Sequence, residues 1–212
     1  MQIQQIVLGQ FVTNCYVIWG SKQGNCIIID PADNGNKIVE ILEQLKLKPE
    51  AILLTHGHYD HFLAVPKLQQ YWKELPVYCH PKDCSKELVE YDMNQSFPTV
   101  RALLNRRELK DNQQLSLAGI ETTVLHTPGH TQGSVTFKIE DALFTGDTLF
   151  YRSMGRTDFD GGDEAKMMIS LKRLGLLKGN YRVFPGHDQA TTLDDERHYN
   201  SYLKAALKKQ SN

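Results

Sequence analysis

The feature that most constrains the fold is a repeated pattern in which a short apolar strand is followed at once by histidine or aspartate. Site residues of open α/β sheets usually lie in the loops at strand ends, and Gly and Pro beside such residues favour tight turns. If the strands lie in adjoining sheets, the pattern predicts that these polar side chains meet at one rim. The strands and the residues that follow them are Ala51 to Leu54 with 55–61, Thr122 to Leu125 with 126–130, Ala142 to Phe144 with 145–147, and Tyr181 to Phe184 with 185–187.

The remaining sequence alternates β-branched or aromatic runs with segments of helical apolar spacing, which predicts one α/β domain over residues 1–212. Residues 92–112 are polar and are predicted to be irregular. The further predicted strands are Ile3 to Leu8, Cys15 to Trp19, Cys26 to Asp30, Val77 to Cys79 and Ser134 to Ile139. The predicted helices are Ile38 to Leu45, His61 to Trp72, Pro81 to Tyr91, Ala165 to Leu174 and Asp194 to Lys208.

Composition excludes some classes of protein. The chain has 24 Lys plus Arg and 25 Asp plus Glu, a formal charge of −1, which argues against a broad nucleic-acid or anionic-membrane surface. A basic cluster at Arg101, Arg106 and Arg107 is interpreted as a solvated face. The sequence has no run long enough for a membrane span and no basic leader, so we expect a cytoplasmic protein. Its cysteines are therefore expected to be reduced and mostly packed: Cys15, Cys26, Cys79 and Cys84.

The run 55–61 carries three histidines and an aspartate, the ligand count of about one metal site. Histidine nitrogens suit zinc, and carboxylates can bridge borderline metals. The later donors His130, Asp147 and His187 bring the set to a size that suffices for two ions. A shared Asp147 would fit two cations about 3.5–4 Å apart, the spacing of binuclear hydrolytic centres. No cysteine belongs to the pattern, which disfavours a sulfur-rich structural zinc site.

The other histidines have simpler interpretations. His80 is expected in a turn or at the rim, and His198 on the surface or in packing of the last helix. His126 could support the loop that holds His130.

These residues resemble the metallo-β-lactamase-fold hydrolases. The segments 55–61 (THGHYDH), 127–131 (TPGHT), 146–148 (GDT) and 185–187 (PGH) are similar, in order, to four successive motifs of that family. The resemblance implies a four-layer αββα sandwich, with two mixed β-sheets flanked by helices and the metals at one edge. It also implies that His56, His58 and His130 hold the first ion and that Asp60, His61 and His187 hold the second, with Asp147 bridging.

Within that family, residues 144–150 (FTGDTLF) and 155–159 (GRTDF) are similar to the glyoxalase II group of hydroxyacylglutathione hydrolases. Full-length members carry a further helical domain with glutathione contacts, and we expect no such C-terminal domain here. Sulfur-ligated β-lactamases place Cys where this pattern does not, which disfavours that activity. A flavodiiron protein would need Glu at His58.

The resemblance implies an enzyme with two zinc ions per chain, with iron or manganese as alternatives, that cleaves a small thioester of the S-2-hydroxyacylglutathione type. Asp60 is the candidate catalytic residue because it could orient the attacking water. Arg156 and Tyr151 are the candidate substrate contacts, although Arg156 could instead brace its loop through Asp158. The alternative is a mononuclear iron persulfide dioxygenase, for which His56, His130 and Asp147 would suffice. The expected partner is the small substrate alone, without nucleic acid or membrane, and the oligomeric state is not predicted.

Overall fold

The computed structural model describes residues 1–20, 24–84 and 103–208. The strands in these ranges are β1 Gln2–Leu8, β2 Thr13–Trp19, β3 Asn25–Ile29, β4 Lys48–Leu53, β5 Val77–Cys79, β6 Arg106–Glu108, β7 Gln114–Leu117, β8 Ile120–His126, β9 Val135–Ile139, β10 Ala142–Gly146, β11 Leu149–Phe150, β12 Ser153–Met154, β13 Arg182–Pro185 and β14 Thr191–Thr192. The helices are α1 Gly35–Leu45, α2 Val65–Tyr71, α3 Glu164–Gly175, α4 Leu193–Tyr199 and α5 Ser201–Lys208, with a 3₁₀ turn at Tyr59–His61.

The strands form two mixed sheets and a small ribbon. The first sheet has the order β1-β2-β3-β4-β5-β6, antiparallel from β1 to β3 and parallel from β3 to β6. The second has the order β14-β13-β10-β9-β8-β7, in which β10 and β13 are parallel neighbours. Strands β11 and β12 pair with each other. Because parallel neighbours end at the same edge, β10 and β13 deliver their loops to one side of the second sheet.

The core lies in layers because each central strand is apolar on both faces. In β3, Ile27 and Ile29 pack between the two sheets with Phe137 and Phe144 of the second sheet. The alternate residues of β3 pack instead beneath helices α1 and α2, whose apolar side chains belong to the same cluster. Helices α3 and α5 cover the outer face of the second sheet. The predicted four-layer αββα sandwich is confirmed.

Several predicted elements differ from the structure. The strand β4 begins at Lys48, before Pro49, and α2 begins only at Val65, because a 3₁₀ turn and a loop occupy the start of the predicted helix. Strand β6 lies within the predicted irregular segment 92–112, and β7 follows it at positions where no strand was predicted. Pairing with β5 and β8 compensates for weak apolar patterning. Residues 81–84 form a turn instead of the start of a helix, and the rest of that predicted helix lies outside the described residues.

The predicted last helix is divided in two at Asn200. The side-chain oxygen of Asn200 accepts hydrogen bonds from the backbone N–H groups of Tyr202 and Leu203, at 3.0 and 3.1 Å. Asparagine is a preferred N-cap because it satisfies such first-turn donors. The break therefore comes from local capping chemistry that apolar spacing does not reveal.

The cysteines divide into two classes. Cys15 and Cys26 are buried free thiols, as predicted, and burial raises the pKa of Cys26 to about 12. Cys79 and Cys84 are joined by a disulfide bond, so the prediction of a reduced thiol is wrong for this pair. The turn after β5 brings their Cα atoms to 6.2 Å, a proximity that the sequence spacing alone does not establish.

No helix in the described ranges is both long enough and apolar enough to cross a membrane.

Candidate metal centre

The predicted donors are brought together at one edge of the sandwich. The segment 55–61 follows β4 of the first sheet, whereas His130, Asp147 and His187 follow β8, β10 and β13 of the second. The backbone N–H of Gly186 donates to the carbonyl of Gly146 at 2.9 Å, which sets the Asp147 and His187 loops side by side. The first sheet therefore contributes the donors of segment 55–61, and the second sheet contributes His130, Asp147 and His187.

The donors form overlapping groups in which the candidate ligand atoms of each group lie within 4.8 Å of one another. Their membership matches the two ligand sets that the family resemblance implies, and adds a third group that contains Asp147. The groups are His56, His58 and His130; Asp60, His61 and His187; and His56, His61 and Asp147.

The distances between donors suit a metal ion. Asp147 carboxylate oxygens lie 3.4 Å from Nε2 of His130, 3.5 Å from Nε2 of His61 and 3.5 Å from Nε2 of His187. Asp60 lies 3.4 Å from Nε2 of His187. Ligand bonds of about 2.0–2.1 Å in a tetrahedron give ligand–ligand edges of roughly 3.3–3.4 Å. Asp147 is thus in position to touch both halves of the cluster.

Buried polar atoms without a partner also point to a metal. Within the described residues, His56 Nε2, His61 Nε2 and Asp147 Oδ1 are buried and have no hydrogen-bond partner. Buried polar atoms are normally satisfied because each unpaired one costs free energy. These atoms belong to the donor groups, so the residues present fit bound cations.

The histidine rings are oriented by hydrogen bonds at the nitrogen opposite the cluster. His61 Nδ1 lies 2.9 Å from Asp30 and His130 Nδ1 lies 2.7 Å from the carbonyl of Arg156. His187 Nδ1 lies 3.1 Å from the carbonyl of Phe11. A proton held at Nδ1 leaves Nε2 free to ligate, the usual outer support of metal-binding histidines.

Asp30 is a supporting residue that sequence reasoning missed. Its buried carboxylate accepts from the backbone N–H and the hydroxyl of Thr55, at 2.8 and 2.7 Å, in addition to its contact with His61. The Thr55 hydroxyl lies 3.0 Å from His56 Nδ1. The only signal in the sequence is an aspartate at the end of a buried strand, and the sequence patterns predict it as part of that strand without a role in the site.

In the first group, His56, His58 and His130 (the first triad), two histidines have lowered pKa values. Burial and the neighbouring histidines lower the pKa of His56 well below its usual value. Burial and His130 lower the pKa of His58 to about 4. These nitrogens are therefore unprotonated at neutral pH and ready to accept a cation.

In the group of Asp60, His61 and His187 (the second triad), the histidine pKa values are raised instead. Burial alone would lower the pKa of His61, but the carboxylates of Asp147, Asp30 and Asp60 outweigh it and raise the pKa to about 9. Burial would raise the pKa of Asp60, yet hydrogen bonding to His187 and the charge of His61 hold it well below its usual range. The pKa of His187 is raised because Asp60 and Asp147 outweigh burial. In the second triad, protons on the histidines neutralise the negative charge of the nearby carboxylates, a role that a bound cation would take over.

Of the two predicted substrate contacts, only Arg156 has a described contact with a metal donor, through its backbone carbonyl to His130. The guanidinium of Arg156 makes two 2.7 Å bonds to Asp158 and lies 3.8 Å from the ring centroid of Phe159. Phe159 in turn stands edge-on to His58, with centroids 5.8 Å apart. The ring of Tyr151 is 37% exposed and lies 5.1 Å from the guanidinium of Arg152. Arg156 thus braces its own loop with its side chain and His130 with its carbonyl.

The other histidines and the arginines discussed in the sequence analysis make their described contacts with groups outside the donor set. His126 Nε2 is 3.0 Å from the carbonyl of Gln132, in the loop that carries His130, and its ring stacks on that of His80 at 4.4 Å. His198 is bonded to a backbone carbonyl of its own helix. Arg106 donates to the carbonyl of Cys84, Arg107 is exposed, and Arg101 lies outside the described residues.

Comparisons with known proteins identify the family and agree with the fold. The family model of the metallo-beta-lactamase superfamily matches residues 8–187. A Haemophilus influenzae protein named hydroxyacylglutathione hydrolase GloC is 33% identical, with 97% of this chain and 99% of the relative covered. The crystal structure of BLEG-1, a B3 metallo-beta-lactamase, superposes with a TM-score of 0.85 at 33% identity over 95% of this chain and 99% of that chain. TTHA1623, crystallised in a di-iron-bound form, has a TM-score of 0.84 at 35% identity over 94% and 99%.

The chain therefore belongs to the metallo-beta-lactamase superfamily.

Proposed function

We propose that the protein is a binuclear metal-dependent hydrolase, formed by residues 1–212 as one cytoplasmic catalytic domain, that cleaves a small thioester of the S-2-hydroxyacylglutathione type. The observation that carries the proposal is the pair of donor triads joined through Asp147, with unpaired atoms directed at their centre. The name of the Haemophilus influenzae relative supports the choice of substrate class.

His56, His58 and His130 would hold one ion, Asp60, His61 and His187 the other, and Asp147 would bridge them. Two bound zinc ions, or iron or manganese in their place, supply a hydroxide at neutral pH and polarise the scissile carbonyl. TTHA1623 supports iron as an alternative, since that relative is seen in a di-iron-bound form.

Asp60 is proposed to orient the attacking water as well as to bind metal. Its carboxylate accepts a 3.0 Å hydrogen bond from the hydroxyl of Thr13, which fixes the rotamer. A cavity of about 260 Å³ opens next to Asp60, bordered by Phe11, Tyr59 and Leu63. The cavity offers a place for a small acyl group beside the metal ligands, and a thiolate leaving group needs little protonation.

Arg156 is proposed as a substrate contact, but its attraction for an anionic substrate is reduced because Asp158 already neutralises its charge. Tyr151 is retained as a candidate wall of the site on the strength of its exposed ring. Neither side chain makes a described contact with the metal donors.

A second candidate function is β-lactam hydrolysis, favoured by the similarity to BLEG-1 over nearly the whole of both chains. Overall similarity does not identify a substrate, so both reactions must be tested directly.

The test combines metal quantification on the purified protein with a substrate panel. We expect two zinc-class ions per chain and turnover of S-2-hydroxyacylglutathione thioesters. Oxygen consumption with a persulfide and one iron per chain would instead establish the dioxygenase alternative. Hydrolysis of a chromogenic cephalosporin without thioester turnover would establish the β-lactamase candidate.

A further inference from the structure

Asp83 is a buried carboxylate outside the donor set, only 5% exposed, in the turn that follows β5. It accepts hydrogen bonds from the backbone N–H of Gly57 at 3.0 Å and of Gly133 at 2.7 Å. It also accepts from the hydroxyl of Thr131 at 2.5 Å. Three donors thus converge on one carboxylate, and two of them are backbone groups.

The donors belong to the two loops that form the first triad. Gly57 lies between His56 and His58, in the loop after the first sheet's β4. Thr131 follows His130 directly, in the loop after the second sheet's β8. Asp83 therefore ties together loops from different sheets at the point where they must meet to place three nitrogens around one ion.

The packing at this junction is tight. A Cβ atom at Gly57 or at Gly133 would overlap atoms of Asp83, so both loops close on it with no spare room. The turn that carries Asp83 is tied at its ends by the Cys79–Cys84 disulfide. A carboxylate held in this way acts as a fixed spacer between the loops.

We propose that Asp83 is the positioning residue for the first metal ion: its bonds to Gly57, Thr131 and Gly133 fix the separation of His58 and His130. Nδ1 of His58 and Nε2 of His130 lie 2.8 Å apart across the junction that Asp83 spans. The proposal rests on the metal centre of the proposed function and not on its substrate.

We expect substitution of Asp83 to weaken binding of the first metal ion only. The second triad is supported by other groups, since His61 is held by Asp30 and His187 by the carbonyl of Phe11. None of the described contacts of Asp83 reaches Asp60, His61 or His187. Loss of the spacer should loosen the first site and leave the second nearly unchanged.

Asp83→Asn is the sharpest variant because it keeps the shape but turns one acceptor into an NH2 group, leaving a buried N–H unpaired. Two backgrounds separate the two sites. In a His187→Gln background only the first triad is complete, and in a His58→Gln background only the second triad is complete. Asp83→Asn is introduced into each. Asp141→Asn, at a surface ion pair with Arg182, is the matched control.

Metal-free proteins are titrated with Zn²⁺ against a competing chelator and with Co²⁺ followed by its d–d absorption. In the first background, Asp83→Asn should weaken Zn²⁺ binding by about 10–100-fold, the range for outer supports of metal ligands, and alter the Co²⁺ spectrum. In the second background the affinity should change by less than about threefold, well below that range. Equal losses at both sites, or none at either, would overturn the proposal.

If Asp83→Asn does not fold, Thr131→Val removes a single donor to the same carboxylate. A smaller loss confined to the first ion is then expected, and an unchanged first-site affinity would overturn the proposal. Failure of the proposed function has a different signature, namely a protein that binds both ions normally yet cleaves no thioester.

Discussion

The two triads of the metal centre have the same number of donors but opposite electrostatics. In the first, burial lowers the pKa values of His56 and His58. The second mixes His61 and His187, whose pKa values are raised, with the carboxylate of Asp60. Burial dominates at His56 and His58, whereas carboxylates within about 3.6 Å dominate at His61. One half is thus prepared for a cation, and the other holds protons that a cation must displace.

The largest expected effect on metal binding follows from substitution of Asp147, whose carboxylate approaches both triads. Asp147→Asn removes the charge that approaches His61, His130 and His187. Because it contacts both triads, we expect both ions to weaken and turnover to fall by more than about 100-fold, beyond the loss typical of outer supports. Metal content and thioester turnover measure this, with Asp141→Asn as control. Retention of two tightly bound ions would contradict a bridging position.

A smaller and asymmetric effect is expected for Asp30→Asn. Asp30 contacts His61 directly but reaches His56 only through Thr55. Zn²⁺ affinity of the second triad should fall by about 10–100-fold and that of the first by less. Competition titrations in the His58→Gln and His187→Gln backgrounds measure each site. A larger loss at the first triad would reverse the assignment of Asp30.

The pH dependence of binding should differ between the halves. In the metal-free protein His61 has a pKa of about 9, so an ion at the second triad displaces its proton. Affinity there should rise by at least about tenfold per pH unit from pH 6.5 towards 9, because His187, whose pKa is also raised, adds to the slope. At the first triad His58 has a pKa of about 4, so His58 adds no such slope over that interval. Zn²⁺ titrations at several pH values in the same backgrounds test this, and parallel slopes would contradict the contrast.

The smallest effect is expected for Arg156→Ala. His130 is oriented by the backbone carbonyl of Arg156, which the substitution retains, whereas the lost guanidinium pairs only with exposed Asp158 among the charged groups described. Such an exposed ion pair contributes little. We expect first-site Zn²⁺ affinity within about threefold of the unsubstituted protein, well inside the range for a lost support. A tenfold rise in KM with unchanged metal affinity would instead establish Arg156 as a substrate contact.

Much of this site was predictable because metal ligation demands particular side chains at strand ends. The spacing of His56, His58, Asp60 and His61 already indicated a metal loop, and family resemblance assigned the two ligand sets that the structure brings together. The supports were not predictable in the same way. Asp30 and Asp83 act on loops 25 and 48 residues distant in sequence, and a lone aspartate carries no local signal for such a partner.

The same division holds for the fold. Apolar strands and amphipathic helices predicted one α/β domain, since hydrophobic periodicity is a property of neighbouring residues, and the family resemblance implied its four layers. The tertiary structure alone decided that weakly patterned β6 and β7 are strands, that Asn200 divides the last helix, and that Cys79 meets Cys84. It also decided the charge state of each half of the site. Those outcomes depend on burial and on distances between residues remote in sequence, which local composition does not contain.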